Sequence, residues 1–287
     1  MVKSEQDYRV QLGKVKNLPP LPEVSLRIMN AVNNPDVSVD EVVEVLSLSP
    51  SLVARLLGLA NSAYFGYSGK INDLRKAIIQ VLGFNLVKSL SLSIALNVQL
   101  DTRKCQAFDA HFYWLQALTA AVLAQKLSAK TQVDVLQPAT VYTSGLLLNI
   151  GVLAAVFLFP EMMQAVFNRC QQSGQSLKEG ICNAVGVSHY KLGYLLLNRW
   201  RLPAIYQTVV KEFENPDFGE SEMLLISLHQ ISQSMASLIN KGMPVDITLY
   251  KAELELLSIP AGYAAAAVEQ IVTSRDDIQE LATIISS

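Results

Sequence analysis

The chain has 287 residues, enough to bury one large core or two smaller ones. It is 51% hydrophobic and 17% charged, with a net charge of -2 and no run of Lys or Arg, so composition gives no electrostatic case for binding nucleic acid. Its cysteines, Cys105, Cys170 and Cys182, are odd in number and include no C-x-x-C pair; neither a disulfide framework nor a zinc site is expected, and they read as buried thiols of a cytosolic protein.

The first residues, MVKSEQDYRVQLGKV, lack the apolar core of a secretory signal, and a cytoplasmic location is expected. Asp7 to Val15 reads as a short amphipathic segment, followed by Leu18-Pro19-Pro20-Leu21-Pro22, a rigid extended turn. Pro22 suits the first turn of a helix running to about Asn33, with Val24, Ile28 and Val32 inward. After the turn Asn33-Asn34-Pro35-Asp36, Ser38 and Glu41 make a capping box for a helix through Leu48. Ser49-Pro50 opens the next helix, which turns Leu52, Leu56, Leu59 and Ala60 inward and gives way to a loop around Gly66 and Gly69. Asp73 can cap a helix to Leu82 that Gly83 stops, and Asn85 to Leu100 forms another. The polar run Asp101 to Lys104 marks a subdomain boundary.

Beyond it, helices are predicted at Phe108 to Leu127, Pro138 to Phe159, Pro160 to Gln172, Leu177 to Ala184 behind a Ser176/Glu179 box, Ser188 to Arg199 and Pro203 to Phe213. Four more follow, at Glu220 to Lys241, Thr248 to Leu257, Pro260 to Thr273 and Arg275 to Ile285. No run of alternating β-branched residues reads as a strand, so the fold class is all-α. Between Pro138 and Pro160 no charge occurs and apolar residues occupy every face, the mark of a buried helix or a membrane span. Thr140, Tyr142, Thr143, Ser144 and Asn149 crowd this stretch and no basic cluster flanks it, which favours a buried central helix. A buried amide without partners costs about 1–3 kcal/mol, so Asn149 is expected either to bond a neighbouring helix or to line a cavity.

Five blocks carry a family resemblance: LPPLP (Leu18 to Pro22), SLSPSLVARLLGLANSAYFG (Ser47 to Gly66), AIIQVLG (Ala77 to Gly83), GLLLNIG (Gly145 to Gly151) and GVSHYKLGYLLLNRWRLP (Gly186 to Pro203). In this order they resemble the HDOD family, the bacterial output domain related to HD-type metal-dependent phosphohydrolases, over roughly residues 15–216. The resemblance implies an HD-related multi-helical bundle with an N-terminal helical subdomain. The expected division is 1–104 for that subdomain, 105–216 for the HD-like core and 217–287 for a helical extension in which no motif is recognised.

In catalytic HD relatives the block Gly-Leu-Leu-His-Asp-Ile-Gly supplies a His-Asp pair that binds a divalent metal, which lowers the pKa of a bound water for attack on a phosphate ester. Here Leu148 and Asn149 stand in those two places; leucine cannot ligate, and a neutral amide lacks the charge a hard cation favours. The other matched positions hold Gln116, His189 and Glu214, and the whole chain has only three histidines, His111, His189 and His229. A catalytic metal site needs about three good protein ligands and an open position. The resemblance therefore implies a degenerate centre with no catalytic residue, no resident metal and no cofactor, surviving as a pocket lined by Gln116, Asn149, His189 and Glu214.

The expected activity is binding: a bacterial cytoplasmic regulatory module that acts in trans on a signalling protein, or takes a nucleotide-like ligand, with no nucleic acid and no membrane as partner. Tyr64, Phe65 and Tyr67, clustered on a loop, are the candidate partner contact. The alternative is a metal-dependent phosphohydrolase with unconventional ligands, acting on nucleotides or other phosphate esters. For single residues the structural reading has priority: His189 as a helix-packing imidazole, and Trp200 as an anchor between successive helices.

Overall fold

The computed structural model describes residues 18, 20, 23–34, 36–97, 100–131, 137–215, 217–219 and 222–286. The expected amphipathic segment Asp7 to Val15 and most of the LPPLP block lie outside these. Among the described residues every regular element is helical and no strand occurs.

The α-helices are α1 (Glu23–Asn33), α2 (Val39–Ser47), α3 (Pro50–Ala60), α4 (Leu74–Lys76), α5 (Phe84–Asn97), α6 (Ala110–Ser128), α7 (Pro138–Leu147) and α8 (Ile150–Leu158). They continue with α9 (Pro160–Ser173), α10 (Leu177–Val185), α11 (His189–Arg199), α12 (Ala204–Glu212), α13 (Met223–Asn240), α14 (Lys251–Leu256), α15 (Ala261–Thr273) and α16 (Arg275–Ser286). Single 3₁₀ turns occupy Ala63–Phe65 and Ile247–Tyr250, and α4 runs directly into a π-helical segment, Ala77–Leu82.

Local chemistry sets many of these boundaries. Ser38 and Glu41 form the reciprocal box at the start of α2, with Ser38 N–H donating to Glu41 Oε2 at 2.8 Å and Glu41 N–H to Ser38 Oγ at 3.2 Å. Such boxes satisfy two of the four donors a helix N-terminus otherwise leaves unpaired. Asp73 and Ser176 cap α4 and α10 in one direction only, each side chain accepting from the N–H three residues on, so the expected Ser176/Glu179 pair is a simple cap and not a reciprocal box. In α1, Ile28 is buried as expected, together with Ser25, whereas Val24 is 37% exposed; the side chain of Val32 lies outside the described residues. The cysteines likewise differ: Cys105 is buried, Cys170 half-buried and Cys182 exposed.

The chain divides into two compact units. Over the described residues, the first contains Leu96–Ala110 and Leu148–Glu214, and the second contains Pro22–Ala95, His111–Leu147 and Asn215–Ser287. These units are discontinuous in sequence, unlike the three contiguous regions expected at 1–104, 105–216 and 217–287. The reason is visible in the second unit, where the C-terminal helices complete a core begun by α1 to α7. Ile278, Ala282 and Ile285 of α16 are fully buried, Arg55 of α3 donates to the Ile285 carbonyl at 2.8 Å, and the Ala63 N–H donates to Glu280 at 3.1 Å.

The central apolar stretch is two helices rather than one. It breaks at Leu148 and Asn149, the positions that the resemblance matches to the His-Asp pair, where Asn149 sits at φ -97°, ψ 15° with no side-chain cap to α8. By length and composition Pro138–Leu158 could cross a membrane, but 83% of its most apolar window is buried within the protein.

Candidate functional site

The first unit is organised around a crossing of α8 and α11 that only glycine permits. A Cβ on Gly151 would lie 1.7 Å from the His189 carbonyl oxygen and 2.6 Å from the Gly193 amide nitrogen. From the other side, a Cβ on Gly193 would lie 3.2 Å from the Gly151 nitrogen and 3.0 Å from Val210 of α12. The last glycine of GLLLNIG and the glycine four residues beyond His189 thus bring two backbones together, and so set His189 against the helix that Asn149 opens. Ser188 fixes the start of α11, its hydroxyl accepting from the Lys191 N–H at 3.2 Å.

His189 is 5% exposed, and its Nδ1 is buried without a hydrogen-bond partner. Its ring lies 3.9 Å from that of Tyr190, which lies 4.9 Å from Phe213. Burial, reinforced by the charge of Lys178, pushes its pKa down to about 4, so the imidazole is neutral at physiological pH. Burial, and then the charge of Glu214, raises the Tyr190 phenol well above its ordinary range. Glu214 is ion-paired with Lys178 at 2.5 Å. His189 and Glu214 therefore share one neighbourhood: Lys178 pairs with Glu214 and acts on His189, and Tyr190 packs on His189 and feels the charge of Glu214.

Gln116 belongs to the second unit, where its side chain is engaged. Its Nε2 donates to the Gln233 backbone oxygen at 3.2 Å, and its Oε1 accepts from Asn240 Nδ2 at 3.0 Å. Thr119 donates to Asn240 Oδ1 at 3.2 Å, and Arg275 to the Asn240 carbonyl at 3.0 Å. These bonds tie α6 to α13 and α13 to α16 and engage the amide that the family resemblance implies for the pocket.

This donor set does not fit a divalent cation. Leu148 is 0% exposed and purely aliphatic, and Glu214 is committed to Lys178. Among the described residues no three of His, Cys, Asp and Glu converge. The other histidines have their own surroundings in the second unit: His111 Nε2 is 3.3 Å from the Gln279 carbonyl, and His229 Nε2 is 2.7 Å from Ser144 Oγ. No metal-assisted step follows from these residues.

The pair Ser144–His229 has no local signature in the sequence, because its members are 85 residues apart and neither belongs to a spaced motif. His229 is 1% exposed, and burial lowers its pKa to about 3. The first glycine of GLLLNIG makes room for it, since a Cβ on Gly145 would meet His229 Cε1 at 3.2 Å and the Ala121 Cα at 3.0 Å.

The aromatic loop is only partly available. Tyr64 and Phe65 are half-buried in the 3₁₀ turn beneath α16, edge to face at 4.9 Å, while Tyr67 is exposed. The candidate partner contact is thus reduced at the surface mainly to Tyr67.

The HDOD domain profile matches residues 18–216, taking in the caps of α2 and α4, the broken GLLLNIG stretch and the glycine crossing. The chain belongs to the HDOD domain family. An uncharacterized protein of Treponema pallidum (strain Nichols) is 31% identical over 217 residues, 75% of this chain; the HDOD chain spans 41% of that relative's length. A crystal structure of a protein assigned to signal transduction in Marinobacter aquaeolei VT8 superposes with a TM-score of 0.81 at 22% identity, covering 100% of this chain and 67% of the other. One assigned as a phosphohydrolase, from Shewanella amazonensis SB2B, gives 0.76 at 24% identity, covering 96% and 97%. At these identities the two structures show the all-helical fold alone, and the HDOD assignment rests on the profile.

Proposed function

We propose that this HDOD chain is a bacterial, cytoplasmic signalling or regulatory module that works by binding and has no turnover of its own. It acts in trans on a signalling protein or takes up a nucleotide-like ligand, using the neighbourhood of Asn149, His189 and Glu214 in the first unit. The observation that carries this reading is the fully buried leucine, Leu148, in the place of a metal-ligating histidine. It is supported by the pairing of Glu214 with Lys178, which leaves His189 as a lone imidazole there. One neutral imidazole can accept or donate a hydrogen bond but cannot fix a cation or lower the pKa of a water bound to one.

The test is metal uptake and turnover on the purified chain. After incubation with Mn²⁺ and desalting, elemental analysis should find far less than one equivalent, and hydrolysis of bis(p-nitrophenyl) phosphate should stay at the buffer rate. One tightly held metal per chain, with hydrolysis abolished in His189→Ala, would overturn the reading in favour of a phosphohydrolase.

A further inference from the structure

In the second unit Tyr67 and Ile79 are exposed by 41% and 59%, and at least the tyrosine is held in place rather than merely uncovered. The Tyr67 hydroxyl lies 3.3 Å from Gln80 Oε1 and can donate to it, and a Cβ on Gly69 would lie only 2.7 Å from Tyr67 Cε1, so the ring rests on the glycine backbone. Gln80 and Ile79 are neighbours in the π-helical segment Ala77–Leu82, which ends with the Gly83 N–H donating to the Ile78 carbonyl at 2.9 Å. An i to i+5 turn of this kind is uncommon and is found disproportionately at functional sites. Here it carries the aliphatic side chain beside the residue that anchors the ring.

The charges around the pair have a positive excess. Lys70 lies on the same loop as Tyr67, and Lys76 lies four residues before Gln80, about one turn away; both are exposed, and neither is ion-paired among the described residues. Arg75 pairs with Asp40, and the Asp73 carboxylate, which accepts from the Lys76 N–H at 2.8 Å, stands against the two ammonium groups, leaving the positive excess on this loop and turn. A fixed aromatic ring with an aliphatic neighbour loses little conformational entropy on binding, and tyrosine is enriched among the residues that dominate interface energies. Two unpaired ammonium groups beside them favour an anionic partner.

We propose that Tyr67 and Ile79, flanked by Lys70 and Lys76, dock an acidic segment of a partner protein whose apolar side chain packs on the Tyr67 ring. This rests on the reading of the chain as a binding module and names the chemistry of its protein partner. The experiment titrates the intact chain with two short synthetic peptides by fluorescence anisotropy, one built of Glu and Leu and the other of Lys and Leu. The acidic peptide should bind saturably, with Kd raised about tenfold or more by Tyr67→Ala or Ile79→Ser. Binding should vanish in the double variant Lys70→Glu/Lys76→Glu and weaken with added salt. All four side chains are exposed, so circular dichroism should show native helix in every variant. The proposal fails if the acidic peptide does not saturate, if it binds the variants as tightly as the parent, or if the basic peptide binds equally well. Metal uptake and phosphodiester turnover are read independently, so either result can fail without the other.

Discussion

At the scale of single residues, the glycines of this chain separate into those that backbone geometry requires and those it merely tolerates. Gly151 is of the first kind: the nearest atoms to an added Cβ are backbone atoms of His189 and Gly193, which cannot move aside as a side-chain tip can. Gly151→Ala should therefore push α8 and α11 apart, with a net loss of about 2 kcal/mol or more in urea denaturation after the small gain in helix propensity. Gly58 in α3 is the control, because an added Cβ would meet Ile284 Cγ2 at 3.5 Å, an ordinary contact. Gly58→Ala should be neutral or stabilise by up to about 1 kcal/mol through helix propensity. Equal effects at the two sites would mean that the close crossing is not what Gly151 is there for. His189 illustrates a limit of reading residues singly: the sequence gives its block, but its burial and its approach to α8 follow from Gly151, nearly forty residues earlier.

At the scale of elements, what could be read from the sequence was what short-range chemistry decides. The caps at Ser38, Asp73 and Ser176 occur in the structure because each is settled within four residues. The break at Leu148–Asn149 and the π-helical turn at Ala77–Leu82 were not legible, since an apolar run looks the same whether or not its hydrogen-bond register shifts. The fate of the C-terminal helices was also hidden, because residues 217–287 carry no motif, and the partners of α16 are up to 230 residues away. The two tryptophans offer a direct check, as Trp114 belongs to the second unit and Trp200 to the first. In a Trp200→Phe background, Ile278→Ala empties a fully buried position of α16 and should lower the stability reported by Trp114 fluorescence by about 2–5 kcal/mol. An unchanged Trp114 transition would mean that α16 is an appendage.

At the scale of the whole molecule, each unit encloses one deeply buried imidazole, His189 in the first and His229 in the second, and neither has a carboxylate partner among the described residues. Their folded pKa values lie at about 4 and about 3, below the ordinary histidine value of 6.5, with burial as the main cause in both. The unfolded chain consequently binds more protons than the folded one at any pH between those limits, and the sign of the linkage is fixed. Stability is fully present above pH 6.5 and is lost as pH falls toward the folded pKa values. Each histidine should remove about 2 kcal/mol at pH 5 relative to neutral pH, enough to take a protein of ordinary stability close to unfolding. Urea midpoints measured from pH 7.5 to pH 4.5 should fall steeply below pH 6.5. His229→Gln keeps a polar group for Ser144 and removes the titration, so it should flatten the profile reported by Trp114. Its own cost at neutral pH appears as a constant offset, which leaves the slope as the quantity that decides. A profile as steep as that of the parent would show that His229 is not buried in its neutral form.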